Sequence, residues 1–164
     1  MATASPGQPH SRLWEDHHLR GDIFRRMVVN GRVEMTPEPS DEAVRQLRLR
    51  HALAADAADA YFSAGFTVVL QDVILGADLP EMVARIASRP LFVVVLAPRP
   101  EVVAQREQGR AKTGYVDGWT PEQLDAGLHA DTPRLGLWLD TSTQTPRETV
   151  EEILTRVSTE GAVG

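Results

Sequence analysis

The sequence predicts an α/β domain built on a parallel sheet flanked by helices. Three observations carry that prediction. Two apolar runs rich in β-branched residues, Phe66–Leu70 (FTVVL) and Leu91–Ala97 (LFVVVLA), lie on either side of a segment with helical periodicity. Unbroken apolar runs of this kind suit strands covered on both faces, as in a parallel sheet. Strand, helix and strand within about 30 residues is the βαβ pattern, with a right-handed crossover expected. Finally, the first run stops abruptly at Gln71-Asp72. That places a carboxylate at the carboxyl end of a strand, where open α/β sheets form their ligand crevices. The plain alternative is that Asp72 caps a turn.

Composition narrows the class. A chain of 164 residues is expected to form one domain with a substantial core. Its 42% hydrophobic and 24% charged content is ordinary for a globular protein. A net charge of -6 gives no footprint for nucleic acid. No apolar run reaches the length of a membrane span, and the opening MATASPGQPHS lacks the apolar centre of a signal peptide, so a cytoplasmic location is expected. The absence of cysteine excludes disulfides, thiolate metal sites and cysteine nucleophiles. Lys112 is the only lysine, so no other position offers a Schiff base or a phosphate-binding lysine.

In chain order, residues 1–16 mix Pro, Gly, Ser and His without periodicity and are expected to be a disordered tail. The WEDHH stretch ending at His18 is not expected to bind metal. Its adjacent histidines do not share a helix face, and no third ligand follows at a standard spacing. A very short strand at His17–Arg20 leads to a helix after Asp22, for which Asp22 is a candidate N-cap. Asn30-Gly31 signals a turn, and Val33–Ser40 is a Pro-rich loop. A long helix starts at Ser40 or Asp41 and reaches about Ala64, with Val44, Leu47, Ala54, Ala58 and Tyr61 on its apolar stripe and Gly65 as its terminal cap. Asp78, with Glu81 three residues on, reads as an acidic cap on a helix whose apolar face is Met82, Val83 and Ile86. Pro100–Lys112 reads as a helix carrying Arg106 and Arg110 on one face, and Gly114–Gly118 as a mobile stretch. Thr120-Pro-Glu-Gln and Thr145-Pro-Arg-Glu are capping boxes with Pro at the first helical position. Between the helices they start lies a short strand, Leu137–Asp140, and residues 159–164 are expected to be a frayed tail.

Four stretches in this order resemble the P-loop kinase superfamily, and within it the chloramphenicol-phosphotransferase-like bacterial small-molecule phosphotransferases. GDIFRRMVVNGRVEMTPEP is similar to the segment after the first helix of that family. GFTVVLQDVILG is similar to the strand bearing the Walker-B-like acid, LFVVVLAPRPEVVAQREQGR to the strand feeding the lid helix, and LGLWLDTSTQTPRETVEEIL to the last strand and helix. The resemblance spans most of residues 18–158 and implies a three-layer P-loop-kinase-like sheet. It implies Asp22 as the base for an acceptor hydroxyl, Asp72 as the metal-organising acid, and Arg106 and Arg110 as phosphate-contacting lid arginines. Asp140, Thr141 and Ser142 fall near the adenine side, and Arg25, Arg32 and Glu34 on the acceptor side. ATP and Mg2+ are the implied cofactors, and a small molecule the implied acceptor.

The family's first central strand and its G-x-x-x-x-G-K-[ST] loop have no counterpart in this sequence. Such a loop supplies backbone N–H groups for phosphates, a lysine to neutralise them and a hydroxyl for magnesium. Two readings therefore stand. In one the chain is an ATP-dependent phosphotransferase, expected to be an N-terminally shortened product of a longer gene. In the other it is a non-catalytic kinase-like remnant serving as a binding or interaction module. On the second reading the two central strands either pair directly or flank an unfilled position, which invites a partner strand or a homo-oligomer.

Overall fold

The computed structural model describes residues 17–108 and 118–164. β1 (His17–Arg20) runs through Gly21 into α1 (Asp22–Met27). Gly21, not Asp22, is the N-cap. Asp22 is already helical, and its carboxylate is held by Arg25 and Arg26 one turn on, so no side chain caps this helix.

α2 (Asp41–Ser63) starts at Ser40, whose hydroxyl accepts from the Ala43 amide at 3.2 Å. It ends in a Schellman motif. Gly65 takes φ +94°, its amide donates to Phe62 O, and the Phe66 amide reaches back to Tyr61 O. The Tyr61 and Phe66 rings meet edge to face at 6.1 Å, the apolar contact that accompanies this cap.

β2 (Val68–Gln71) lies parallel to β1 in a register running from His17↔Val68 to Arg20↔Gln71, with α2 as the crossover. α3 (Asp78–Arg85) follows. Its N-cap is Ala77 and it has no side-chain cap, because Asp78 sits inside the helix rather than before it. β3 (Val94–Leu96), α4 (Pro100–Gln108), α5 (Pro121–Asp131), β4 (Leu137–Leu139) and α6 (Pro146–Glu160) complete the order. Both expected capping boxes form, at Thr120/Gln123 and Thr145/Glu148.

Among the described residues the strands make two separate two-stranded parallel sheets, β1-β2 and β3-β4. The expected β2–α3–β3 unit within one sheet is therefore not formed, and the parallel crossover unit is β1–α2–β2. The strand expected over Leu91–Ala97 is shorter because only Val94–Leu96 pairs with β4. Nor is that run covered on both faces, since Phe92 is 41% and Leu96 49% exposed.

One apolar cluster serves both sheets. Ala54 and Ala55 of α2 pack with Met82 and Ile86 at α3, and both Leu70 of β2 and Leu91, just before β3, pack against this group. α6 lies against β4, where Leu137 and Leu139 are buried. The tail beyond α6 does not fray. Gly161 O accepts from the Val93 amide at 2.8 Å and Val163 N donates to Leu91 O at 3.1 Å, which pins the tail beside the entry to β3. Among the described residues, no helix is long and apolar enough to cross a membrane.

Candidate functional site

The parallel pairing of β1 and β2 aligns their carboxyl ends, and each end delivers an acid. The Gly21 amide continues the ladder to Gln71 O at 3.0 Å, so Gly21 lies beside Asp72 and Asp22 comes one residue later. The contact is close. A Cβ on Gly21 would lie 1.8 Å from Asp72 Oδ2, so only glycine fits against this carboxylate.

Asp22 is half-buried and holds two cations, Arg25 Nε at 3.2 Å from Oδ1 and Arg26 Nη2 at 2.8 Å from Oδ2. Burial acts to raise its pKa, but the two guanidiniums outweigh that and hold it below the usual carboxylate value. Arg25 also binds Glu34, and Arg32 Nε binds the other oxygen of Glu34 at 2.8 Å. Asp22, Arg25, Glu34 and Arg32 thus form one continuous ionic chain across the start of the Pro-rich loop. That loop is fixed from the far side, where Trp119 Nε1 donates to Met35 O at 2.9 Å.

Asp72 has a different setting. Its side chain is only 8% exposed, and its partner Arg50 on α2 is 15% exposed. Oδ1 accepts from Arg50 Nη2 at 3.1 Å and from the Val73 amide at 2.8 Å. Oδ2 is buried against Gly21 and has no hydrogen-bond partner. Magnesium requires open oxygen ligands in a near-octahedral, water-rich shell. A carboxylate with one oxygen paired to arginine and the other sealed against backbone does not fit that requirement. Among the described residues no group of three or more His, Asp or Glu side chains gathers as a metal site either.

His51, the next residue along α2, is buried beside this pair, with Nε2 unpartnered. Burial pushes its pKa down against the opposing pull of Asp72, with Arg50 reinforcing the decrease. Arg50 and His51 were not legible as site residues. They lie more than 20 residues from Asp72 in sequence, on a helix whose other buried residues are all alanine.

A second group gathers at the carboxyl ends of β3 and β4. Arg106 on α4 donates to Thr141 O at 2.7 Å and Gln144 O at 3.1 Å, and the Arg99 amide donates to Ser142 Oγ at 2.8 Å. Asp140 accepts from the hydroxyl and the amide of Ser142, and these two bonds hold its pKa below the usual value. Arg106, Asp140, Thr141 and Ser142 are thereby brought together, while Arg110 lies outside the described residues. An open cleft of about 350 Å³ adjoins this group, lined by Arg99, Asp140, Trp138, His129, Asp125 and Arg134 among others. The Arg134 guanidinium sits 4.3 Å from the centroid of the Trp138 ring. Neither this cleft nor a second one of about 420 Å³ beside His51 is lined by Asp22 or Asp72. The candidate residues form two groups, one on each sheet.

A search of curated proteins found no match. The family model for chloramphenicol phosphotransferase-like protein matches residues 12–158, which take in both sheets and both residue groups. The chain belongs to the chloramphenicol phosphotransferase-like family.

Proposed function

We propose that the protein is a kinase-like phosphotransferase acting on a hydroxyl of a small molecule. Family membership suggests the reaction class, since this family is P-loop kinase-like. The observation that carries the residue assignment is the ionic chain Asp22–Arg25–Glu34–Arg32 at the carboxyl end of β1. Asp22 offers a half-exposed, ionised carboxylate at the point where an open α/β sheet receives its ligand. It accepts a hydrogen bond from the acceptor hydroxyl and orients the oxygen for attack. Its lowered pKa makes orientation, not early proton removal, its main contribution. Arg25, Arg32 and Glu34 shape the acceptor side, with the loop held by Trp119.

The phosphoryl donor, ATP by family resemblance, is assigned to the β3–β4 side. By that same resemblance Asp140, Thr141 and Ser142 are assigned to the base, and Arg106 and Arg110 to the phosphates. A magnesium ion, where bound, would offset the charge of the donor phosphates. The donor set around Asp72 does not fit that ion, so no step is assigned to it. The two sheets read as the halves of a three-layer kinase-like sheet, with the β2 and β3 edges flanking its centre.

The test is transfer from labelled ATP, at millimolar nucleotide and magnesium, to a panel of hydroxyl compounds covering antibiotics, nucleosides, sugars and amino alcohols. Transfer to one class, lost in Asp22→Asn with its melting temperature retained, supports the reading. Equal transfer by wild type and Asp22→Asn refutes it. One observation favours a second reading, a non-catalytic interaction module: β2 and β3 each have an edge that pairs with no strand among the described residues. Absence of transfer across the panel would leave that reading standing.

A further inference from the structure

We infer that the Arg50–Asp72 ion pair is a positioning element, which wedges the end of β2 against Gly21 and so fixes where α1 presents Asp22. The inference rests on the reading of Asp22 as the acceptor-side carboxylate. Three elements meet at one point. Arg50 comes from α2, Asp72 from the end of β2, and Gly21 from the turn between β1 and α1.

Each contact is restrictive. Arg50 and the Val73 amide both hold Asp72 Oδ1, at 3.1 and 2.8 Å, which orients the carboxylate. Its other oxygen then fills the space that any side chain at residue 21 would need. The Gly21 amide is tied to Gln71 O at 3.0 Å, so Gly21 is held from the β2 backbone and from the Asp72 side chain at once. Asp22 inherits that placement through one peptide bond. A buried ion pair adds little net stability over apolar packing of the same shape, but removing one partner leaves an uncompensated charge. Here the pair's strict geometry falls on the one residue that precedes Asp22. The same arrangement takes Asp72 away from metal binding.

The experiment uses the whole chain with ¹³C-labelled carboxyl groups and ¹⁵N-labelled amides. Spectra and thermal melts are recorded for wild type, Arg50→Met, Arg50→Lys, Asp72→Asn and the Arg50→Met/Asp72→Asn double variant. Magnesium chloride alone at millimolar concentration is the metal probe. The expected results are a melting temperature several degrees lower in Arg50→Met and in Asp72→Asn, and part of that loss recovered in the double variant. The Gly21 and Asp22 amide signals and the Asp22 carboxyl signal should move in both single variants, and Arg50→Lys should bring them back toward wild type. Magnesium should leave the Asp72 carboxyl signal unchanged.

A saturable magnesium shift at Asp72 would overturn the inference, because the carboxylate would then be an open ligand. Gly21 and Asp22 signals unmoved in the variants would overturn it as well. Should Arg50→Met not fold, Arg50→Lys and Asp72→Asn carry the same comparison. None of these readouts needs turnover, so the inference and the phosphotransferase reading can each fail alone.

Discussion

Replacing Gly21 by alanine adds one methyl group at the tightest contact of the β1–β2 pair. The backbone there, at φ -55° and ψ -29°, suits alanine, so no dihedral strain arises. By itself the change restricts the unfolded chain and stabilises by about 0.4–1 kcal/mol. The new Cβ, however, would stand 1.8 Å from Asp72 Oδ2 and 2.4 Å from its Cγ. The gap has to open by more than an ångström. Asp72 cannot yield freely, because Arg50 and the Val73 amide grip its other oxygen. Either the carboxylate leaves Arg50, which costs about 3–5 kcal/mol for a broken buried pair, or the Gly21–Gln71 rung parts. The net loss should be about 2–4 kcal/mol, or about 5–15 °C in melting temperature for a domain of this size. Gly127→Ala is the matched control. Its Cβ would meet only Leu75 Cδ1 at an ordinary 3.6 Å inside α5, so it should stabilise by about 0.5–1 kcal/mol. Circular-dichroism melts and urea midpoints of the two variants read the contrast. A Gly21→Ala protein that melts with wild type would refute the close-packed reading of Asp72.

Asp59 accepts from the Ala87 and Ser88 amides, both at 2.9 Å, and Asp59→Ala should cost about 1 kcal/mol in urea unfolding. Although burial acts to raise their pKa values, Asp59, hydrogen-bonded by Ser88 and Ala87, and Asp22, paired with Arg25 and Arg26, both lie below the ordinary aspartate value. Their contribution is therefore complete above that value and lost as pH falls through the lower folded values, so melts should drop on acidification from about pH 5. Asp59→Ala should flatten that drop, and an unchanged acid profile would contradict the assignment. Thr145→Ala removes the capping box of α6 and should cost about 1 kcal/mol, read from the urea midpoint. Calorimetric titration with magnesium–ATP should show no saturable binding at micromolar nucleotide. Arg106 is already engaged with Thr141 O and Gln144 O, and exposed arginines alone hold phosphate weakly. Tight binding would show that the chain builds its own phosphate site.

Features set by local rules could be read before the structure. The two capping boxes and the glycine cap at Gly65 follow from a few adjacent residues, and each formed as expected; Ser40, one of two expected starts for α2, is its N-cap. Asp22 and Asp78, candidates for caps, both sit inside their helices, because an acidic residue is equally at home in the first helical turn, where the dipole favours it. Strand extents were harder still. Leu91–Ala97 is apolar throughout, yet a strand is as long as its partner allows, and β4 offers only Leu137–Leu139. The grouping of Arg25, Arg32 and Glu34 with Asp22 was legible as one contiguous segment. The Arg50–Asp72 pair was not, since no periodicity links a mid-helix arginine to the end of a strand beyond it.

The two sheets also govern how this chain behaves among its own copies. Among the described residues, every strand has one edge that pairs with no other strand, and Val69 and Leu96 are 47% and 49% exposed. Proteins commonly blunt such edges with lysine, proline or a bulge. Here Lys112 is the only lysine, and none of the four strands contains a proline. What holds copies apart at long range is the net charge of -6, a repulsion that salt screens over about 8–10 Å at physiological ionic strength. Ionic strength should therefore be the handle on the protein's colloidal stability, and light scattering of concentrated solutions should show strand-to-strand association rising with salt.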